Sequence, residues 1–389
     1  MAPRDLRRFL HFGWNAARYA LGPLAAMLIP WVVMHHGTKA LWGEVVSVMI
    51  TVQLASHFLR WGSREMLPRV FAERPAAIPD IWTGSIITRL WLVPPVALAL
   101  YLLMSGGTTL AIVWLLLLFA NNSFEPLAIW RKRFLHSFAI DAVGLAITLA
   151  GLFTIRDPVL DSVVRWVIIG QAARTLLLCV VFRSDLSATP KADMRMHLGE
   201  AVPFLLIALS GLLGSRVDLY VMNLTAGRET LAEYQVIQGY FVQLQALAGI
   251  IAVPFTRELY RMGKTGVEKA TGRLASVGLL ALLPAGVIGQ LLFTHFYGFD
   301  TDWRICMAGC LVGWPVFAYA PMVQTLYKHG KERMMVTAGF ITAGISAALT
   351  WLLVPRYGIT GGLVSAAISQ FLMLLVVRSI FHRLAPKAR

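Results

Sequence analysis

The sequence predicts an all-α polytopic membrane protein with about twelve transmembrane helices. Apolar runs of membrane-spanning length recur along all 389 residues. Hydrophobic residues make up 57% of the chain and charged residues only 14%. Lys and Arg gather in alternate connections between the runs, the pattern that sets the orientation of membrane helices.

A helix needs roughly 17 to 25 apolar residues to cross the hydrocarbon core. In the first half this length places spans at 10–34, 43–59, 81–104, 110–129, 138–155 and 166–182. The second half supplies 202–224, 234–255, 274–296, 305–327, 334–354 and 358–377. The first follows Arg4, Arg7 and Arg8 as a signal peptide would, but its apolar run is about twice a secretory core and lacks a small-residue cleavage pattern. It is predicted to be a retained helix. Pro94 and Pro95 in the third span, Pro284 in the ninth, and Pro315 and Pro321 in the tenth are positions where a missing backbone donor can kink a helix.

Of the 35 Lys and Arg residues, 25 lie in the termini and even-numbered connections, and six lie on the opposite side. This partition predicts cytoplasmic termini. Topology accounts for most of the formal net charge of +15, so nucleic acid is not an expected partner. Cys179, Cys306 and Cys310 all fall within spans, where packing is expected rather than a disulfide or a metal site.

The connections are short, which argues against glycosyltransferases, polymerases and ligases that act through large outer loops. Gly263-Lys-Thr265 lacks the upstream glycine of a phosphate-cradling loop because Glu258 stands there, which argues against an ATP-driven transporter. No catalytic residue, cofactor or metal is expected. Leu41, Val52, Gln53 and Leu54 recur as Leu231, Val242, Gln243 and Leu244. This weak repeat predicts two six-helix halves, 1–196 and 197–389, the arrangement of many alternating-access transporters.

Polar side chains at helical spacing indicate which faces avoid lipid. His11, Asn15 and Arg18 share a face of the first span, as do Gln53, His57 and Arg60 in the second. Gln171 and Arg174 share one in the sixth; Arg216, Tyr220 and Asn223 share one in the seventh, with Asp218 roughly opposite. Gln235, Gln238 and Gln245 mark the eighth. Arg18, Arg89, Arg174 and Arg216 are the only basic residues inside spans. His11, His57, Arg60 and Arg89 lie near enough to cytoplasmic ends to reach headgroups, or they line a cavity. Gln and Asn side chains can equally join helices. Guanidinium groups suit phosphate oxygens, so the embedded arginines point to an anionic, phosphate-bearing ligand.

Leu353-Val-Pro-Arg-Tyr-Gly-Ile-Thr-Gly-Gly362, Arg216-Val-Asp218 with Ala232-Glu-Tyr234, and Leu41-Trp-Gly43 followed by Gly62 carry a resemblance to a known family. The chain resembles the Wzx-like polysaccharide-transporter branch of the multidrug/oligosaccharidyl-lipid/polysaccharide (MOP) superfamily. A second Gly at 362, the absence of an Asn late in the eleventh span, and the short length depart from the pattern. The resemblance implies a MATE-like fold in the bacterial inner membrane. It further implies a flippase, not an enzyme, for an undecaprenyl-diphosphate-linked oligosaccharide used in O-antigen, capsule or exopolysaccharide synthesis. Its partners would be membrane lipid, a polysaccharide polymerase and glycosyltransferases.

In this reading Arg18, Arg174 and Arg216 attract the diphosphate, and Asn15, Gln53, His57, Gln238 and Gln245 offer polar contacts to sugar or cavity. Asp218 is the candidate for ion coupling, its alternative being a fixed ion pair with an arginine from another helix. A drug or metabolite antiporter of the same superfamily and a membrane polymerase or ligase are the competing readings.

Overall fold

In the computed structural model the described residues are 21–104, 108–186, 193, 195–252, 259 and 261–384. Among them the chain is helical, with no strand. Contacts divide it into two compact units, Met1–Leu209 and Ser210–Arg389.

The first unit contains α1 (Leu21–His36), α2 (Lys39–Arg60), α3 (Ser63–Glu73), α4 (Ile78–Leu90), α5 (Val93–Leu103), α6 (Thr108–Trp130), α7 (Phe134–Thr154) and α8 (Leu160–Phe182). Thr38 starts α2 by accepting from the Leu41 N–H at 3.1 Å, satisfying one of the orphan donors at a helix N-terminus. That helix stops where Trp61 and Gly62 both take positive φ, 47° and 67°. A Cβ at Gly62 would lie 2.6 Å from the Phe204 Cβ, so the turn requires glycine for both conformation and space. The α4 and α5 helices are bent by 41°. The break precedes Pro94 and Pro95, which occupy the first turn of α5, where their missing donors cost least. Among the described residues this unit has an apolar core around Trp82, Phe71 and Phe182 and another around Val52, Leu115 and Phe119.

The helix α9 (Val202–Thr225) carries the chain across the unit boundary. The second unit continues with α10 (Arg228–Ala252), α11 (Lys264–Leu291), α12 (Trp303–Lys328) and α13 (Glu332–His382). A π-helical turn, Leu292–Phe296, extends α11. Helical structure runs through Pro355-Arg-Tyr357, the segment expected as a turn, and the break falls at Gly358, with φ 53° and ψ −131°. Only glycine reaches that backbone region without strain. The helices on either side form a first and a second arm of α13.

Among the described residues, eight helical stretches are long and apolar enough to cross a membrane, or nine if the bent α4–α5 pair is one span. They include α2 continued through α3, α6 to α9, α11, α12 and α13. The two arms of α13 count once here. The glutamine-rich α10 is not among the eight, and α1 enters only as a shorter apolar helix among the described residues.

Candidate functional site

The second unit builds its polar interior from α9, α10 and the second arm of α13. Ser215 and Asp218 lie three apart on α9, and Tyr234 and Gln238 four apart on α10, so each pair presents one face. The Gln238 amide nitrogen donates to the Ser215 carbonyl at 2.7 Å, and its oxygen accepts from Arg216 at 3.3 Å. One turn away the Tyr234 hydroxyl donates to the Asp218 carboxylate. Tyr234 has no exposed surface and Asp218 is 2% exposed. A Cβ at Gly362 would stand 2.6 Å from the Tyr234 ring. Gly362 therefore lets the second arm of α13 close over the pair.

Among the described residues Asp218 makes no ion pair with an arginine of another helix, the alternative drawn from the sequence. Its direct side-chain partner is Tyr234, the last residue of the Ala232-Glu-Tyr234 segment. Arg216, on the same helix, lies within electrostatic reach. Gln245 donates to the Val312 carbonyl at 2.9 Å, and Gln370 bridges the Gly214 carbonyl at 3.2 Å and the Tyr319 hydroxyl at 3.0 Å. Both glutamines join helices by hydrogen bonds, and Gln245 keeps its carbonyl oxygen as an acceptor.

In the first unit Arg174 forms an ion pair with Asp141 at 2.6 Å. Gly144 and Gly170 make this possible by close approach of α7 and α8, since a Cβ at Gly170 would lie 2.6 Å from the Gly144 carbonyl oxygen. Nearby, Asn121 donates to the Gln171 side chain at 2.8 Å and accepts from Thr175 at 2.9 Å. The Arg174 side chain is 27% exposed, so it is not fully enclosed beside its carboxylate.

Gln53 is half-buried, and its carbonyl accepts from the His57 ring at 2.9 Å. His57, Arg60, Gly62, Arg64, Glu65 and Ala208 line a cavity of about 130 Å³. Two of these, Arg60 and Arg64, converge on opposite oxygens of Glu125, at 2.5 and 3.3 Å. This clamp joins residues about 60 positions apart, so no local spacing announces it. Arg89 does not reach a headgroup. It is fully buried, because Ser85, Ser123 and the Phe119 ring hold its guanidinium inside the helix packing.

Asn15, Arg18 and His11 lie outside the described residues. Of the other expected site residues, Arg216, Gln238 and Asp218 come together in the second unit, with Gln245 further along α10. Gln53 and His57 are neighbours on α2, and Arg174 is joined to Asp141.

No protein-family model matches the sequence, and no curated protein does. Solved structures do share its fold. The inward closed conformation of the lipid II flippase MurJ aligns with a TM-score of 0.69 over 96% of this chain and 87% of that one, at 12% identity. An inward-facing multidrug resistance MATE transporter of the MOP superfamily aligns at 0.66, over 95% of this chain and 98% of that one, at 13% identity. A eukaryotic MATE transporter gives 0.64, over 98% and 96% of the two chains, at 12% identity. At such identities the likeness establishes the fold, so this chain has the fold of the MurJ and MATE transporters.

Proposed function

We propose that the protein is a flippase that carries an undecaprenyl-diphosphate-linked oligosaccharide across the bacterial inner membrane for surface polysaccharide synthesis. Twelve spans in two six-helix halves, 1–196 and 197–389, with both termini cytoplasmic, belong to the same proposal. The observation that carries it is the sign of the interior charge. Glu125 and Asp141 are each engaged by arginine; among the described residues Arg89 has only neutral partners, and Arg216 hydrogen-bonds to Gln238 with Asp218 of its own helix within electrostatic reach. Arginines that outnumber the interior acids favour an anion over a cation.

In this mechanism Arg18, Arg174 and Arg216 draw in the diphosphate, which competes with Asp141 for Arg174 and with Gln238 for Arg216. Asn15, Gln53, His57, Gln238 and Gln245 exchange hydrogen bonds with sugar hydroxyls. Asp218, joined to Tyr234, is the proposed coupling group for an ion gradient. No covalent bond is made or broken. A polymerase and glycosyltransferases would be partners in the pathway.

Reconstituted proteoliposomes test this directly with a labelled undecaprenyl-diphosphate oligosaccharide. Wild type should translocate it. Arg174→Ala and Arg216→Ala should each lower the rate at unchanged membrane abundance, with partial recovery in the Lys variants because a point charge replaces a planar fork. A second reading, an antiporter for organic cations, draws on the buried Asp218 carboxylate. Uptake of a cationic dye without movement of the lipid-linked sugar would establish that reading and overturn the first.

A further inference from the structure

The interior of the first unit contains a guanidinium with no counter-charge among the described residues. Arg89, in the last turn of α4, has no exposed surface. Its Nε donates to the Ser85 carbonyl at 3.1 Å and lies 3.2 Å from the Ser85 hydroxyl. One terminal nitrogen reaches the Ser123 hydroxyl at 3.3 Å, and the Phe119 ring centroid lies 5.3 Å away. The other terminal nitrogen, Nη1, is buried without a hydrogen-bond partner. All of these partners are neutral, and the carbonyls at the end of α4 supply at most about half a negative charge. Arg60, also within electrostatic reach, has the same sign, and its own acid, Glu125, is shared with Arg64.

Further unpartnered groups lie on this turn and in a segment packed against α4. The Thr88 hydroxyl, beside Arg89 in sequence, is fully buried and has no partner. Residues 195–199 pack against α4, and from them His197, 1% exposed, contributes a ring whose two nitrogens are likewise unpaired. His197 is within electrostatic reach of Arg89. Asp193, the acid within reach of His197, is exposed, and its carboxylate accepts from the Met196 N–H at 2.9 Å. Buried polar groups in native interiors are almost always paired, and an ion is a standard explanation where several are not.

We propose that Arg89, Thr88 and His197 bind a small monovalent inorganic anion of the halide class, chloride being the abundant member. A guanidinium N–H, a hydroxyl and an imidazole N–H are all donors, as an anion requires. A single uncompensated charge calls for a single negative one, and the absence of exposed surface disfavours a bulky, strongly hydrated oxyanion. Removing a buried charge's partner is strongly destabilising, so this anion acts as a structural counter-ion. The assignment is independent of what the protein transports.

Purified full-length protein in chloride-free detergent solution, titrated at constant ionic strength with sodium chloride, bromide, phosphate or gluconate, tests it through the thermal unfolding midpoint. Chloride and bromide should raise the midpoint saturably, as a ligand specific to the folded state does, while gluconate and phosphate should not. Arg89→Met, which needs no counter-ion, should abolish the halide response. Should that variant fail to fold, Thr88→Val should retain the response but saturate at several-fold higher halide. Diffraction from bromide-grown crystals should place an anomalous peak beside Arg89 Nη1. Equal wild-type midpoints in all four salts, a phosphate response matching that of halide, or bromide peaks only elsewhere would each overturn the assignment.

Discussion

Replacing Tyr234 with Phe removes one oxygen from a side chain that has no exposed surface. The ring still fills the space against Gly362, so the perturbation is confined to the donor that Asp218 loses. A hydrogen bond to a charged group contributes about 1.5–3 kcal/mol, and one between neutral groups about 1 kcal/mol. With an ionised Asp218, Tyr234→Phe should therefore cost about 1.5–3 kcal/mol. In an Asp218→Asn background the same change should cost only about 1 kcal/mol. The difference, about 1 kcal/mol, is the coupling energy of a double-mutant cycle. Unfolding of the four proteins in mixed micelles of mild and denaturing detergent measures it. A Tyr234→Phe cost below about 0.5 kcal/mol would refute the contact itself. Equal costs in both backgrounds would refute the charge-assisted bond and leave a neutral pair.

Glu125→Gln should destabilise the first unit by about 2–3 kcal/mol, because Arg60 and Arg64 lose their shared acid, and adding Arg60→Met should recover part of this; thermal unfolding of the three proteins checks both. Gly358→Ala forces a Cβ onto a backbone at φ 53° and ψ −131°. It should cost about 1–3 kcal/mol, read as a lowered unfolding midpoint, and an unchanged midpoint would mean that the α13 break tolerates another conformation. Single-Cys variants at positions 69, 132, 264 and 331 should resist impermeant labelling in intact cells, whereas 39, 228 and 356 should react; outside labelling at 132 or 264 would reverse the orientation drawn from the basic residues. In proteoliposomes, Asp218→Asn should remove the dependence of translocation on an imposed proton or sodium gradient while passive flipping persists, and an unaltered gradient response would exclude Asp218 from coupling.

Hydropathy by itself located the helices. The runs at 43–59, 110–129, 166–182, 202–224 and 305–327 lie inside α2, α6, α8, α9 and α12, and 138–155 overruns α7 by one residue, because an apolar stretch of that length has few other ways to satisfy its backbone in lipid. The third span was legible together with its flaw, since Pro94 and Pro95 mark where α4 and α5 part company. A break between the last two spans was legible, although its place at Gly358 and the helical conformation of Pro355 to Tyr357 were not. The list of embedded arginines, and hence the expected sign of the ligand, also needed only the chain.

Partners were decided by the tertiary structure alone. Helical periodicity assigns a side chain to a face of its own helix but says nothing about which other helix that face meets. Arg174 found Asp141 through the close approach of α7 and α8, Arg60 and Arg64 found Glu125, and Asp218 found Tyr234. Arg89 shows the difference most clearly. Its position two turns into a span is compatible with a side chain stretched toward headgroups or folded inward, and only the packing of Phe119, Ser123 and Ser85 around it selects the inward course. Sequence thus specifies where apolar length and charge lie along the chain, whereas the neutralisation of each charge depends on contacts between residues distant in sequence, which exist only once the helices pack.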